Sequence, residues 1–488
     1  MTFLKPSGRL KEAMSDGQPG DNSDRSWICS YWILNTLGQT RPHLISSTLL
    51  EDNGLSEMRV VRGMRDLMGP EMYISDYLIE TAIKVFRLFN YEPLDSPVLE
   101  LWETLAAKGG EEVESDTFKF TDKGGREVGL RFDLTVPLAR IVATSPHLLK
   151  PFKRYAIGKA WRYDRPQAGR YREFTQADVD IIGASSSAAD AEVVLVALEF
   201  FRRILGKDYV VRINNRKVLK GLTEKASIPD SLAYECFRAI DKLDKIGRDG
   251  VLEELRNRGI DAEQSGFLLD NIALRGKGTD ILEEFRELLK GSEIGLRGVD
   301  ELRTMSDIFE AANATDVTEF DMSLARGLDY YTGPVFEGQY LGEPHVGSVA
   351  GGGRYDNLIE KLGGVPTPAT GLSLGIGRLI DIMLAKGLGE TLAPRLDALI
   401  APVTTSVLAS GMKIMGDLVR AGISCEIDLM ERNLKKLLEQ ADSKRARYVV
   451  IVGERDLKKG EVSLRDMTTK ATRQVKLDGL VETFGEKS

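Results

Sequence analysis

The segment from residue 162 to residue 180 constrains the fold of this chain more than any other. Arg162 closes an apolar-rich run at residues 155–161, and apolar alternation resumes at Phe174, after the loop-forming residues 167–169. This pattern predicts two antiparallel strands joined by a long, basic tip. The chain is therefore expected to contain a sheet built around this hairpin.

Two arginines lie at the ends of the predicted tip. Guanidinium groups are planar, permanently charged and bidentate toward phosphate oxygens. We therefore predict that Arg162 and Arg170 bind the α and γ phosphates of a nucleotide, with Phe174 stacked on the base. The alternative is that an exposed hairpin tip is charged only for solubility.

Composition agrees with a large enzyme. With 488 residues, of which 42% are hydrophobic, the chain can bury substantial cores, and we expect two or three domains. Cys29, Cys236 and Cys425 are too widely spaced for a zinc knuckle, which favours reduced thiols and a cytoplasmic location. The sequence shows neither a membrane-length apolar run nor a signal-peptide pattern, so no membrane partner is expected.

The basic residues are concentrated near the C-terminus. The formal net charge is −8, yet residues 394–488 contain 17 Lys and Arg against 14 Asp and Glu, which leaves −11 for the remainder. A solvated helix face explains such charges in many proteins, and an RNA-contact surface is the alternative. The densest part consists of Arg432, Lys435, Lys436, Lys444, Arg445, Arg447, Arg455, Lys458 and Lys459.

Apolar periodicity predicts the main elements. Residues 71–90 carry apolar side chains at helical spacing, and strand patterns at residues 128–132, 152–161 and 175–182 suit a largely antiparallel sheet. Charged helical patterns dominate residues 216–315. The apolar positions of the first helix are Ile74, Leu78, Ala82, Val85, Phe86 and Phe89.

The C-terminal part alternates between strand and helix patterns. Strand-like runs at residues 396–403, 423–429 and 447–453 are separated by predicted helices at residues 407–421 and 433–445. This order predicts a small α/β domain.

Five motifs resemble the class II aminoacyl-tRNA synthetases, and in detail the histidyl-tRNA synthetases. The hairpin at residues 162–180 is similar to motif 2. Matches occur in the family's order, which makes them far more specific than one short motif. They are residues 62–72 with 94–100 (motif 1, with Pro97), 130–140 (amino-acid-binding segment), 324–337 (histidine-specific signature), and 350–358 with 371–379 (second histidine signature and motif 3).

This resemblance implies an α+β fold with a class II antiparallel sheet and flanking helices. It also implies a catalytic domain at residues 58–215 and 316–390, interrupted by a helical insertion domain at residues 216–315. Residues 394–488 resemble an anticodon-binding α/β domain. Residues 1–57 lie outside the resemblance and are expected to be an extension, with Met58 as an alternative start.

The activity implied is ATP-dependent ligation of L-histidine to histidine tRNA through a histidyl-adenylate. The family resemblance also implies a homodimer, with the helix at residues 71–90 and the strand that follows it at its interface. Magnesium would bridge the β and γ phosphates. No cluster of metal ligands is visible in the sequence, because His43, His147 and His345 are scattered.

Site residues follow from the motif positions. Arg162 and Arg326 would flank the α-phosphate as the catalytic residues, and both would contact histidine. The ATP-binding residues implied by the resemblance are Arg162, Asp164 at the adenine edge, Phe174 on the ring, and Arg170 and Arg378 on the γ-phosphate. The histidine-binding residues would be Asp133 and Thr135 near the α-amino group, then Gln176, Asp180, Tyr330 and Tyr331.

Simpler interpretations remain for two of these motifs. Residues 329–337 would also suit a strand, a turn and a second strand with an ordinary aromatic core, and Ala350 to Gly353 would suit a flexible turn. Alternatively, those glycines permit close backbone approach to a ligand.

Two other functions are alternatives at this point. One is a catalytically silent paralogue, like the synthetase-like regulatory subunit of ATP phosphoribosyltransferase. The presence of Arg162, Arg326, Arg378 and the C-terminal domain argues against it. The other is a prolyl or threonyl specificity in the same subclass, against which the histidine-specific signature argues.

Overall fold

The computed structural model describes residues 59–107, 111–164, 169–326, 330–343 and 346–485. The predicted extension at residues 1–57 and the alternative start at Met58 lie outside these residues. Among the described residues, no helix has both the length and the apolar character that crossing a membrane requires. The elements below belong to the compact unit that begins at Val60.

The strands form three sheets. The largest has the order β1-β5-β6-β12-β11-β10-β7-β9-β8, and its neighbours are antiparallel except β1–β5 and β7–β9. A three-stranded sheet has the order β2-β4-β3, and a five-stranded sheet β14-β13-β15-β16-β17. The strands are β1 (Glu92–Pro93), β2 (Leu99–Leu101), β3 (Lys119–Thr121), β4 (Glu127–Leu130), β5 (Phe152–Trp161), β6 (Glu173–Ile182), β7 (Tyr209–Asn215), β8 (Arg275–Gly276), β9 (Thr318–Asp321), β10 (Pro334–Tyr340), β11 (Ser348–Arg354), β12 (Ala369–Gly375), β13 (Ala398–Pro402), β14 (Cys425–Ile427), β15 (Tyr448–Val452), β16 (Glu461–Asp466) and β17 (Thr472–Lys476).

The helices flank these sheets. They are α1 (Pro70–Leu88), α2 (Trp102–Ala106), α3 (Glu111–Asp116), α4 (Thr135–Thr144), α5 (Ser187–Leu205), α6 (Arg216–Lys225), α7 (Asp230–Ile240), α8 (Leu243–Asn257), α9 (Ala262–Asn271), α10 (Asp280–Leu288), α11 (Glu293–Ala311), α12 (Leu358–Lys361), α13 (Ile376–Ala385), α14 (Leu408–Arg420), α15 (Leu434–Ser443), α16 (Glu454–Leu457) and α17 (Leu480–Gly485).

The predicted hairpin is confirmed. Strands β5 and β6 pair antiparallel from Phe152 opposite Ile182 to Trp161 opposite Glu173. The strand predicted at residues 128–132 exists as β4, but it belongs to the small sheet and not to the large one. The reason is local, since the chain leaves β4 after Leu130 and turns into α4 at Thr135.

The predicted first helix is also confirmed. It begins at Pro70, whose fixed φ suits the first helical position, and ends at Leu88. Five of the six predicted apolar positions are buried, whereas Phe89 follows the helix and is half-buried. Helix α1 packs against α5 and α13.

Strand β6 separates the core from a polar cleft. Its residues Ala177, Val179 and Ile181 are buried in the main apolar cluster, which includes side chains of α1, α5 and α13. Burying such a side chain stabilises the fold by roughly 1.5 to 3 kcal/mol. Successive side chains point to opposite faces of a strand, so Gln176, Asp178 and Asp180 line the cleft instead.

Residues 216–315 are mostly helical, as predicted. They contain helices α6 to α11 and the short strand β8, which joins the edge of the large sheet beside β9. Helix α11 packs against α6 and α5, so these helices contact the sheet domain directly. Their boundary as a separate domain stays a prediction.

The C-terminal part has the predicted α/β order. Strands β14, β13 and β15 are parallel, with α14 and α15 as their connections. The antiparallel pair β16 and β17 was not predicted, because β17 is mostly exposed and lacks an apolar stripe. Tyr448 and Phe484 pack edge to face, with ring centroids 5.2 Å apart, and so attach the last helix to this sheet.

Candidate functional site

A cleft of about 750 Å³ lies on the polar side of the large sheet. Strands β6, β10, β11 and β12 contribute to its wall, together with the start of α13 and the segment after β9. All the predicted site residues line this one cleft, although they come from widely separated parts of the sequence. They are Asp133, Thr135, Arg162, Asp164, Arg170, Phe174, Gln176, Asp180, Arg326, Tyr330, Tyr331 and Arg378.

The polar side chains of β6 that line the cleft are Gln176, Asp178 and Asp180. Hydrogen bonds from neighbouring residues hold the first and the last of them. Gln176 Nε2 donates to Ser373 Oγ on β12 at 2.7 Å. Asp180 Oδ1 accepts a 2.5 Å hydrogen bond from the Tyr355 hydroxyl. Burial raises the pKa of Asp180, and the adjacent charge of Arg154 opposes that shift. The row therefore presents fixed acceptors to the cleft.

Asp178 is a cleft residue that the sequence analysis missed. Burial raises its pKa to about 7, while the charge of Arg154 opposes this shift. The nearby charge of Asp180 raises it further. The signal in the sequence was the two-residue spacing, because Asp178 lies between two predicted site residues on the same face of a strand. A buried acid of this kind would gain from a bound cation.

Arg154 is a second residue that was missed. It is fully buried, its Nη2 lies 2.8 Å from Asp180 Oδ2, and the same nitrogen donates to the Leu134 carbonyl at 3.0 Å. A buried charge of this type requires a paired acid, which Asp180 supplies. The sequence signal was weak, since a lone arginine in a strand is more often exposed.

Asp133 and Thr135 lie where β4 gives way to α4. Asp133 Oδ1 accepts hydrogen bonds from the backbone N–H groups of Thr135 and Val136, both at 3.0 Å. These bonds satisfy donors that are free at the start of a helix. Asp133 is buried and is thereby fixed at the rim of the acidic row.

Four arginines also line the cleft, namely Arg162, Arg170, Arg326 and Arg378. The pKa of Arg378 is lowered by burial first, and then by the charges of Arg170, Arg326 and Arg162, with Glu337 acting in the opposite direction. Arg378 Nε donates to the Gly169 carbonyl at 3.3 Å, and its Nη1 donates to the Ser348 carbonyl. Mutual repulsion among such cations is relieved when an anion binds between them.

Arg162 lies close to two aromatic rings. Its guanidinium carbon is 4.2 Å from the centre of the Phe132 ring and 5.3 Å from that of Phe174. Its Nε donates to the Phe132 carbonyl at 3.2 Å. These contacts orient the side chain in the cleft while leaving the two terminal nitrogens for further hydrogen bonds.

Arg326 has an unusual backbone conformation, and its side chain lies against Glu337 and Gly351. Its φ is +47°, in the left-handed region, and its Nη1 lies 3.2 Å from Glu337 Oε2. A Cβ at position 351 would collide with the Arg326 guanidinium, so any larger residue there would displace this group. The flexible-turn interpretation of Ala350 to Gly353 is wrong, because these residues form strand β11.

Two adjacent tyrosines line the cleft. The rings of Tyr330 and Tyr331 have centroids 4.6 Å apart, and Tyr330 meets Tyr355 edge to face at 6.0 Å. Both side chains also belong to a small apolar cluster. The second strand of the simpler interpretation exists as β10, whereas residues 330–333 form no strand. Tyr330 and Tyr331 therefore pack in an apolar cluster and also line the cleft.

A family model described as Histidyl-tRNA synthetase matches residues 63–379. The chain belongs to the histidyl-tRNA synthetase family. A second model, described as an anticodon binding domain, matches residues 397–487. The predicted family is therefore confirmed, and the matched ranges cover both the cleft and the C-terminal sheet.

Individual proteins agree with this membership. A histidine–tRNA ligase of Pyrococcus furiosus is 36% identical over 426 residues, covering 86% of this chain and 97% of the relative. One of Korarchaeum cryptofilum is 38% identical over 431 residues, covering 88% and 98%. The crystal structure of histidyl-tRNA synthetase from Nostoc sp. PCC 7120 has a TM-score of 0.75 at 29% identity, covering 88% of this chain and 99% of that one. The predicted α+β fold class is confirmed as well.

One pair in the cleft differs from the arrangement that the histidyl-tRNA synthetase resemblance implied. Asp164 Oδ2 and Arg170 Nε form an ion pair at 2.9 Å, although the resemblance assigns them to opposite ends of ATP. Nearly half of the Arg170 side chain is exposed. An exposed pair of this type is weak, which allows both groups to exchange partners when a ligand binds.

The described residues contain no group of three or more His, Cys, Asp or Glu side chains placed to hold a metal ion. His147 is exposed and does not line the cleft. His43 and His345 lie outside the described residues.

Proposed function

We propose that this enzyme ligates L-histidine to histidine tRNA in an ATP-dependent reaction that passes through histidyl-adenylate. AMP and pyrophosphate are the released products. The single observation that carries the proposal is the junction, in one cleft, of a cluster of four arginines and a row of buried acids. The arginine cluster suits a polyphosphate, and the buried acids suit the ammonium group of an amino acid.

In the first step, a carboxylate oxygen of histidine bonds to the α-phosphorus of ATP while the bond to the pyrophosphate oxygen breaks. The carboxylate is already ionised near neutral pH, so no general base is required. The enzyme needs to align the reactants and to stabilise charge on the phosphoryl oxygens. We assign these roles to Arg162 and Arg326. A donor of this kind commonly contributes about 100- to 1,000-fold in rate.

The remaining arginines would hold the rest of ATP. Arg378 lies beside the chain that carries Arg170, because its Nε donates to the Gly169 carbonyl. Together they would bind the γ-phosphate, with Phe174 stacked on adenine and Asp164 at its edge. Magnesium would bridge the β and γ phosphates and neutralise their charge, with no protein ligand set assigned to it.

The acidic row would select histidine. Gln176 Oε1 is buried and accepts no hydrogen bond from the described residues, so an N–H group of the substrate would satisfy it. Asp133, Thr135 and Asp180 would bind the amino acid together with this amide. Tyr330 and Tyr331 would enclose the imidazole. A wrong ligand that leaves such groups unpaired can be rejected by roughly 10,000-fold.

In the second step, a terminal hydroxyl of histidine tRNA attacks the histidyl carbonyl, and AMP leaves. The C-terminal α/β domain would bind this RNA, since Lys435, Lys436, Lys458 and Lys459 are exposed there. The insertion helices at residues 216–315 would contribute to RNA binding as well. These domain roles are part of the proposal.

The enzyme is proposed to act as a cytoplasmic homodimer. Apolar side chains are exposed near the end of α1 and along β2, which is the region that resembles the family's dimer motif. They are Leu88, Val98, Leu99 and Leu101. Exposed apolar side chains in such a region would be covered in a dimer.

ATP–pyrophosphate exchange with each standard amino acid tests the activity. We expect exchange with histidine alone. A silent paralogue would show no exchange, and a synthetase of other specificity would respond to another amino acid. Charging of histidine tRNA, measured beside a different tRNA, tests the second step.

A further inference from the structure

Side chains at the junction of β7 and α6 hold the segment that carries Arg326. This segment, residues 322–326, contains no helix or strand. Asn214 Nδ2 donates to the carbonyls of Met322 and Leu324, at 3.0 and 2.9 Å. Arg216 Nη2 donates to the Arg326 carbonyl at 2.9 Å. Alternate carbonyls of the segment are thus fixed by two side chains that lie more than 100 positions earlier in the chain.

This support matters because the Arg326 backbone is strained. A non-glycine residue at a φ of +47° adopts a conformation that persists only when its surroundings hold it. The Arg326 guanidinium also fits a narrow place beside Gly351 and Glu337. A small rotation of the backbone would move this guanidinium away from the position that it occupies in the cleft.

Arg216 is itself firmly placed. It is 6% exposed, and its backbone N–H donates to the Gly333 carbonyl at 2.9 Å. Its guanidinium carbon lies 5.0 Å from the centre of the Phe237 ring on α7. Helix α7 ends at Ile240, and both Ile240 and Asp241 line the cleft. Arg216, the first residue of α6, therefore contacts helix α7 and the Arg326 backbone at the same time.

We propose that Arg216 is a positioning residue for Arg326, that Asn214 supports it, and that the Phe237 contact couples Arg326 to helix α7. The kinetic part of this inference rests on the proposed adenylation of histidine. Arg216 would not touch the substrates. It would act through the backbone of the residue that does.

The main variant is Arg216→Met, which keeps the length of the side chain and removes its donors. We expect the exchange rate constant kcat to fall by more than about tenfold, while the histidine dissociation constant without ATP changes less than about twofold. Arg216→Lys should restore part of kcat, because it keeps one charged donor. The matched control is Lys217→Met, whose side chain pairs with Glu301 and does not line the cleft.

A double variant separates positioning from a general loss of stability. If Arg216 acts through Arg326, adding Arg216→Met to Arg326→Ala should cost no more than about twofold beyond Arg326→Ala alone. Independent, additive losses would overturn the proposal. Phe237→Leu should lower kcat in the same direction, and an unchanged kcat would overturn the coupling to α7.

Amide hydrogen exchange provides a reading that does not depend on activity. Residues 322–326 should exchange faster in Arg216→Met than in the wild type, and Lys217→Met should leave them unchanged. Equal protection in all three proteins would overturn the positioning role. If the wild-type enzyme catalyses no pyrophosphate exchange, the proposed function fails, while this measurement still decides the inference. Asn214→Ser tests the same segment should Arg216→Met fail to fold.

Discussion

Arg154 lies directly opposite Asp180 in the pairing of β5 with β6, and the two side chains form an ion pair at 2.8 Å. The Arg154 side chain is 0% exposed and that of Asp180 is 3% exposed. Arg154 also stabilises the charged form of Asp178, because its charge lowers the pKa of that carboxyl against the effect of burial. One buried cation thus balances two acids of the cleft, and its removal would leave both of them uncompensated.

We therefore predict that Arg154→Met destabilises the protein strongly. Removing one partner of a buried ion pair commonly costs about 3 to 5 kcal/mol. Urea unfolding followed by tryptophan fluorescence measures the effect. Arg202→Met is the matched control, since Arg202 pairs with Glu199 on the surface and should change stability by no more than about 0.5 kcal/mol. A similar loss in both variants would contradict the prediction.

A second prediction concerns the pH dependence of stability. Burial raises the pKa of Asp178 to about 7, above its usual value of 3.8. Between these values the folded protein binds a proton that the unfolded chain releases, so stability falls as pH rises through this range. Asp178→Asn should reduce this loss by about 1 kcal/mol or more.

Urea unfolding at several pH values checks this effect. Asp122→Asn is the control, because hydrogen bonds from Arg126 lower the pKa of Asp122. Asp122→Asn should therefore leave the slope near neutral pH unchanged, since the stability that this carboxylate contributes is constant there and is lost only as the pH falls below its usual pKa. The prediction for Asp178 is wrong if Asp178→Asn keeps the full pH slope of the wild type.

A third prediction concerns the catalytic arginine. Arg326→Ala should lower histidine-dependent exchange by more than about tenfold, with a smaller change in histidine affinity, because a transition-state contact affects rate more than ground-state binding. Lysine at this position should rescue exchange only in part. Gly351→Ala should reproduce much of the loss, since its Cβ would displace the Arg326 guanidinium. Near-normal exchange in Arg326→Ala would remove this residue from the catalytic set.

A fourth prediction separates the two activities. The residues that line the cleft end at Arg378, so deletion of residues 394–488 should spare pyrophosphate exchange. Charging of tRNA should weaken sharply, and the full-length protein should bind tRNA with the steeper salt dependence. If the truncated and the full-length proteins charge subsaturating tRNA equally well, the C-terminal domain has another role. Loss of exchange would indicate instead that it stabilises the dimer.

A fifth prediction concerns the N-terminal boundary. Deletion of residues 1–57 should leave folding and pyrophosphate exchange nearly intact. Arg65 lies just beyond this boundary, and Arg65→Met should raise the KM for ATP. Arg65 lies 3.3 Å from Asp381 on α13, and its guanidinium stacks 4.0 Å from the Tyr171 ring. It thereby holds the hairpin tip near Arg378. An insoluble truncated protein would show that the boundary is wrong.

The hairpin and the first helix could be predicted because their signals are local. An alternating run, a turn and a second alternating run define β5 and β6 within about 30 residues. The cleft residues were found through motif resemblance, which identifies positions one by one. Arg154 and Asp178 escaped, because a charged residue in a strand signals exposure unless the covering elements are known.

The support of Arg326 could not be predicted from the sequence. The hydrogen bond from Arg216 joins residues 110 positions apart, and its acceptor is a backbone carbonyl, which carries no residue-specific signal. Strand β17 is a different case. It is an exposed edge strand whose side chains are mostly polar, so its pairing with β16 depends on backbone groups.

The alternation of β6 limits how this enzyme can change. Gln176, Asp178 and Asp180 face the cleft, while Ala177, Val179 and Ile181 face the helices. Deleting or inserting one residue before Asp180 would turn buried acids toward the apolar core and valine toward the substrate. Substrate preference can therefore drift through point substitutions along this strand, whereas a change in its length would remove the fold and the site together.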